Sequence, residues 1–275
     1  MQIQMVTFSE AKEGNAPGEW QDGACGGVVS DGTATPRRAR FVVLDGATGA
    51  YDAVRWVDQL VRSFAPPAGG AAGSRLPRLE PAAMRAWFAE MQDQWAGGVR
   101  DFDSIIEERK FAEVGSFATM LGFEIDGLDG PEPYWRAVAL GDTVLFHVRA
   151  GRLIAVFPPL GPDDFGTLPD GVHTSRASLD RMTERLLFGG GVLEAGDFLF
   201  AATDAMAQWI LRTIVRDEAK VWATLTTLAH PDVFARLVGD QRREQDSAKR
   251  MKNDDVTLMR LRMLAGQPAY LLACR

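Results

Sequence analysis

The residues of this chain best placed to do chemistry are aspartates at the ends of apolar runs. Asp45 closes the run Arg40-Phe-Val-Val-Leu44 and is followed by Gly46. Asp204 stands between the apolar stretch that ends at Ala202 and a helical pattern that begins at Met206. Asp254 directly precedes the run that opens at Val256, and Asp22 follows a segment containing Pro17 and Gly18. Strand ends can bring residues remote in sequence to one edge of a sheet. Carboxylates gathered there repel one another unless cations hold them together. Their hard oxygen ligands select Mg²⁺ or Mn²⁺ over softer metals. Taken singly, each has a plainer reading: Asp45 can open a turn, and Asp204 can cap the helix after it.

The elements that must position these residues are legible as changes of period. The run 40–44 reads as a buried strand ending in a turn at Asp45-Gly46. Val54, Val57, Leu60, Val61 and Phe64 recur at helical spacing. Met84, Trp87, Phe88, Met91 and Trp95 lie on one face of a second helix, a stripe that reads as core packing. Between them, 65–78 is rich in Pro, Gly and Ala and reads as a surface loop. Short apolar runs at 116–125, 135–140 and 143–157 read as strands, with Ala150-Gly151 as a hairpin turn. The segment 161–174 reads as an irregular excursion. Asp197 to Ala202 then reads as a strand, and Met206 to Val215 as a helix. Val221 to Leu237 is helical with an interruption near His230-Pro231. A charged connection at 239–253 leads to closing strands at Val256–Met263 and Ala269–Cys274. Helices grouped in two places between runs of consecutive strands argue against βαβ alternation. They argue for an α+β fold with mostly antiparallel sheet and helices outside.

Order and neighbours add a resemblance to the type 2C protein phosphatase family, especially its compact bacterial members. Phe41-Val-Val-Leu-Asp45-Gly46-Ala47-Thr48-Gly49 resembles the motif in which a strand delivers an Asp-Gly pair to metals. Gly115-Ser-Phe-Ala-Thr119-Met resembles its Gly-Ser/Thr-Thr-Ala strand. Ala139-Leu-Gly141-Asp142-Thr143, with Phe146-His-Val-Arg149-Ala-Gly151 after it, resembles its Val-Gly-Asp-Ser hairpin. Leu193-Glu-Ala-Gly196-Asp197 through Thr203-Asp204-Ala205 resembles its Gly-Asp, apolar strand, Ser-Asp-Gly segment. Asn253-Asp254-Asp255-Val-Thr257 resembles the closing Asp-Asn/Asp-x-Thr motif, and Gln21-Asp22 the acidic end of Asn-Glu/Gln-Asp. The chain departs from the pattern at Thr48 and Ala205, each in place of a glycine, and at Trp20 in place of the asparagine. The family's arginine a few residues upstream of Asp22 is absent, and Lys12 is the base nearest on that side.

The resemblance implies a single domain over residues 1–275, a four-layer α-β-β-α sandwich of two antiparallel sheets flanked by helices. It implies two Mg²⁺ or Mn²⁺ ions held by Asp22, Asp45, the Gly46 carbonyl, Asp204 and Asp254, with Asp45 bridging. Asp142 reads as structural, fixing the Gly141 turn. The implied reaction is hydrolysis of phosphoserine and phosphothreonine in proteins by a metal-bridged hydroxide, with Asp45, Asp204 and Asp254 as the catalytic set. The implied partners are a phosphorylated protein and a Ser/Thr kinase. Lys12 can fold back as a substitute phosphate ligand, or remain a solvated lysine. A pseudophosphatase that binds a phosphoprotein or kinase without turnover is the alternative from another class, and loss of the arginine favours it.

The remaining features are bland. His147, His173 and His230 read as structural or surface residues, His173 being the one to test as a general acid. Phe188-Gly-Gly-Gly-Val lacks the Lys-Ser/Thr of a P-loop and reads as a glycine turn. Cys25 and Cys274 have neither metal nor redox spacing and read as thiols of a reducing compartment. A net charge of −7 gives no sign of nucleic-acid binding. No apolar stretch reaches membrane-spanning length and the N-terminus has no signal-peptide pattern, so a cytoplasmic protein is expected.

Overall fold

The run that delivers Asp45 lies in β3 (Arg38–Gly46), buried continuously from Ala39 to Leu44. A strand covered on both faces must lie between two layers. Its alternation divides it accordingly: Val42 and Leu44 join one core, while Ala39, Phe41 and Val43 join another. The structure, a computed structural model, describes residues 1–16, 19–29, 37–65, 76–98, 102, 104–166 and 169–273.

Two sheets result. In one, β2 (Gly23–Val29), β3, β4 (Phe117–Asp126), β5 (Tyr134–Leu140) and β9 (Leu187–Val192) lie in that order, and the short β8 (Val172–His173) pairs with β4. The other runs β12 (Ala269–Ala273), β1 (Gln2–Glu10), β11 (Val256–Leu264), β10 (Phe198–Ala202), β6 (Val144–Arg149) and β7 (Arg152–Phe157). Every pair is antiparallel except β1 with β12, which is parallel.

Helices α1 (Ala53–Phe64) and α2 (Pro81–Gly97) cover the β3 sheet. In α1 the buried residues Ala53, Trp56, Val57, Leu60 and Phe64 fall on one helical face. In α2, Pro81 occupies the first turn, where no amide donor is missed, and Met84, Trp87, Phe88, Met91 and Trp95 face inward. The shorter α3 (Ile105–Glu113) and α4 (Leu179–Glu184) accompany this layer. On the other side α5 (Asp204–Thr227) and α6 (Pro231–Arg242) pack on the β1 sheet through Trp209, Ile210, Trp222 and Phe234. A third core, with Ile3, Phe41, Phe123, Leu199 and Met259, fills the space between the sheets. The architecture is the expected α-β-β-α sandwich.

Several elements differ from the sequence reading. The segment around Gly189-Gly190-Gly191 is strand β9, not a turn. The absent side chains leave room for the rings of Phe157 and Trp135, which a Cβ at Gly189 or Gly191 would meet at 2.5 and 2.8 Å. The break expected between two helices before Val221 is a local departure at Asp217 inside one α5. Most of the loop 65–78, Pro17, Gly18 and Cys274 lie outside the described residues. Among the described residues no helix is long and apolar enough to cross a membrane.

Candidate functional site

Asp22, Asp45, Asp142, Asp204 and Asp254 come from five chain segments and gather at one end of the sandwich. Asp22 immediately precedes β2. It is almost fully buried. The hydroxyls of Thr203 and Thr257 donate to its Oδ2 at 3.1 and 2.8 Å. Its Oδ1 has no hydrogen-bond partner. Asp45 stands next to last in β3, opposite Thr119. Gly46 must be glycine, because a Cβ there would lie 2.4 Å from the carbonyl oxygen of Gln21. This contact presses the Gln21-Asp22 segment against the end of β3. Asp255, also buried, pins the same region by accepting from the backbone N–H of Lys12 and of Gln21, both at 2.8 Å.

Asp204 is the first residue of α5, where a carboxylate also meets the positive end of the helix dipole. The helix is preceded by Thr203, so the capping position belongs to the threonine and not to Asp204. Lys252, unremarked in the sequence, lies between two of the aspartates. Its ammonium is 2.7 Å from Asp204 Oδ2 and 2.7 Å from Asp254 Oδ2. Burial would lower its pKa, but Asp204 and Asp254 raise it instead. The chain bends between Lys252 and Asp254, with the Asp254 N–H donating to the Lys252 carbonyl at 3.2 Å, so no strand period marked the lysine in the sequence.

The carboxylates act on one another. Asp45 is held well above the usual carboxylate range by burial and then by the charges of Asp22, Asp204, Asp142 and Asp254. Asp22 is raised chiefly by burial, with Asp255 and Asp204 adding to it against its two threonine donors. Asp142 is pushed up to about 7 by burial and by Asp204. Its Oδ1 is buried without a partner. Asp142 therefore belongs electrostatically to the cluster, beyond the turn-fixing role its motif suggests. The turn is also held by close packing: a Cβ on Gly141 (φ 106°) would lie 2.4 Å from the Asp170 carbonyl. The hydroxyls of Thr119 and Thr143 meet at 2.6 Å beside it.

Lys12 reaches the rim, with Nζ 4.0 Å from Asp254 Oδ1. Arg242 ties the two sides of that rim together, donating to the Ala11 and Asp254 carbonyls. The histidines lie elsewhere: His147 bonds buried Asp197 at 2.8 Å, and His230 precedes α6. His173 packs against Phe117 with the rings tilted, and burial, then Arg181, hold its pKa below the ordinary value. Its charged neighbours are Arg181 and Asp170, not the cluster.

The donor set suits a divalent cation. Of the five aspartates only Asp204 and Asp254 meet the bridging ammonium, two buried carboxylate oxygens lack partners, and among the described residues no donor reaches the Asp45 carboxylate. Among the described residues no three acidic, His or Cys side chains enclose an ion by themselves. Asp22, Asp45, Asp204 and Asp254 would hold such an ion together with water, as is usual for protein-bound Mg²⁺.

No family model matches the chain, and no curated protein matches it. Solved structures do. The Mycobacterium tuberculosis serine/threonine phosphatase PstP/Ppp superposes with a TM-score of 0.57 at 15% identity, covering 96% of this chain and 99% of that one. The S. agalactiae serine/threonine phosphatase gives 0.56 at 14%, covering 95% and 99%. RsbX in complex with magnesium gives 0.50 at 13%, covering 94% of each. The chain thus has the fold of the type 2C serine/threonine phosphatases.

Proposed function

We propose that this protein is a divalent-cation-dependent phosphatase that hydrolyses phosphoserine and phosphothreonine in proteins, in opposition to a Ser/Thr kinase. The observation that carries this is the convergence, on this fold, of five aspartates, of which Asp22 and Asp142 have a buried oxygen without a partner. In this reading Asp22, Asp45, Asp204, Asp254 and the Gly46 carbonyl hold Mg²⁺ or Mn²⁺. Bound there, the cations supply positive charge to the phosphoryl oxygens and lower the pKa of water. Asp45 is the central ligand, since it feels the charge of all the others. Thr203 and Thr257 fix the face that Asp22 presents. Lys12 offers the phosphate a point charge at the rim, in place of a bidentate guanidinium. Cys25 has no part: it lies in β2 opposite Val42.

One observation favours a second reading, a phosphoprotein-binding module without turnover. Lys252 already neutralises Asp204 and Asp254. Turnover of p-nitrophenyl phosphate separates the two. Activity is expected with Mn²⁺, lost in EDTA and restored on re-addition. Asp45→Asn should lower kcat on the order of a hundredfold or more, because loss of a central carboxylate weakens ion binding and water activation together. Full activity of the metal-stripped protein would overturn the metal mechanism. No activity at saturating Mn²⁺, with phosphopeptide binding retained, would favour the binding module.

A further inference from the structure

Beside the aspartate cluster lies a cavity of about 390 Å³ whose lining is basic. Arg212 on α5, Arg242 at the end of α6, and Arg250 and Lys252 in the connection to β11 contribute to it, with Glu13 as the one carboxylate. On a chain of net charge −7, this concavity sets four cations against one carboxylate, whereas the larger one beside it, lined by Lys12, Arg236, Arg242 and Arg243, also holds Glu10 and Glu13. Their partners separate them. Lys252 is spent on Asp204 and Asp254. Arg242 is fixed by the two carbonyls it bonds and has no carboxylate partner among the described residues. Among the described residues the guanidinium groups of Arg212 and Arg250 form neither an ion pair nor a hydrogen bond, whereas Arg40, Arg136, Arg149 and Arg176 are all paired. Guanidinium groups left free around a cavity are matched by carboxylate or phosphoryl oxygens, which they grip bidentately.

Resting on the phosphatase reading above, we propose that this cavity is a subsite for a second anionic group on the substrate, flanking the phosphorylated residue. Lys252 forms the wall between cavity and aspartates, so an anion bound here sits beside the cluster and not on it. The reacting phosphoryl group is therefore not its occupant. The matching substrate carries an acidic side chain or a second phosphoryl group near its phosphoserine. Both offer the same oxyanion chemistry to Arg212 and Arg250.

The test uses the Mn²⁺-loaded full chain and three phosphoserine peptides that differ only at the flanking positions: alanine, aspartate, or an additional phosphoserine. Wild type is expected to favour the aspartate or doubly phosphorylated peptide over the alanine peptide by about tenfold in kcat/KM, with the ratio shrinking as salt screens the contact. In the double variant Arg212→Ala/Arg250→Ala the ratio should fall to near one. Arg212→Lys/Arg250→Lys should retain most of it, because the charge remains. A gain for both anionic peptides supports an oxyanion subsite in general, and a gain for the doubly phosphorylated peptide alone supports one specific for phosphoryl groups. No discrimination in wild type, or discrimination surviving in the double alanine variant, overturns the subsite. Calorimetric binding of the same peptides reads the preference without turnover. Wild-type turnover of p-nitrophenyl phosphate, which has no flanking group, reports on the phosphatase reading separately.

Discussion

An ammonium 2.7 Å from each of two carboxylates takes up charge that a divalent ion would otherwise neutralise. Lys252 is thus a competitor built into the cluster. To be displaced it must surrender two charge-assisted hydrogen bonds, each worth roughly 1.5–3 kcal/mol before solvation returns part of it. We expect Lys252→Met to tighten Mn²⁺ binding by about tenfold, measured by calorimetry. Weaker binding would mean instead that the lysine holds Asp204 and Asp254 in place for the ion. The sequence disclosed Asp45, Asp204 and Asp254 because each borders an apolar run, and Asp22 because Gln21-Asp22 resembles a family motif. It hid Lys252 because a lysine in the charged stretch 239–253 looks like any solvated one. It undervalued Asp142 because a Gly-Asp pair between two strands is first of all a turn signal.

At the level of elements, the approach of Gln21 to the end of β3 sets the distance between Asp22 and Asp45. Gly46→Ala would place a methyl group 2.4 Å from a backbone oxygen, which no side-chain rotation relieves. The expected result is a loss of about 1–3 kcal/mol in urea unfolding, with a weakened Mn²⁺ isotherm. An unchanged isotherm would separate this contact from the cluster. A second joint is Asp197, the residue before β10. Burial pushes its pKa up. The bonds from Arg149, the Glu194 N–H and His147 outweigh that and hold it below the ordinary carboxylate value. A carboxyl with a depressed folded pKa stabilises above its unfolded value of about 4, and that contribution is lost as pH falls through the folded value. Asp197→Asn should therefore lower stability at pH 7 by about 2 kcal/mol. Its thermal midpoint should also vary less with pH on the acid side than that of wild type, and equal acid slopes would refute the assignment. The elements the sequence concealed are those whose packing is done by their neighbours. Strand β2 reads Gly-Ala-Cys-Gly-Gly-Val-Val and has no apolar period. Its Gly26 is small because the ring of Phe41 fills the space, 2.3 Å from where a Cβ would lie, and Gly23 is small because Val57 of α1 does the same at 2.4 Å. Hydrophobic periodicity finds α1, α2 and β3, which supply the side chains, and misses the strand that receives them.

For the molecule as a whole, the cluster lies where the two sheets meet. Asp22 and Asp45 belong to the β3 sheet, and Asp204 and Asp254 adjoin strands of the β1 sheet. Asp142 lies in the link that carries the chain from β5 in one to β6 in the other. Without a divalent ion, this end of the sandwich holds mutually repelling carboxylates countered by Lys252 and, at 4.0 Å, by Lys12. An ion bound to aspartates of both sheets joins the layers and removes part of that repulsion, and the unfolded chain has no such site. Binding to the folded state alone stabilises by about 2.7 kcal/mol at a hundred times Kd. For chains of roughly this size each kcal/mol moves the thermal midpoint by about 2–4 °C, so saturating Mn²⁺ should raise it by roughly 5–10 °C over the EDTA-treated protein. Asp45→Asn, scanned in the same way, should lose most of that increment. The two scans together decide whether the ion acts at the cluster: an increment that survives in Asp45→Asn would place the bound ion elsewhere on this acidic surface.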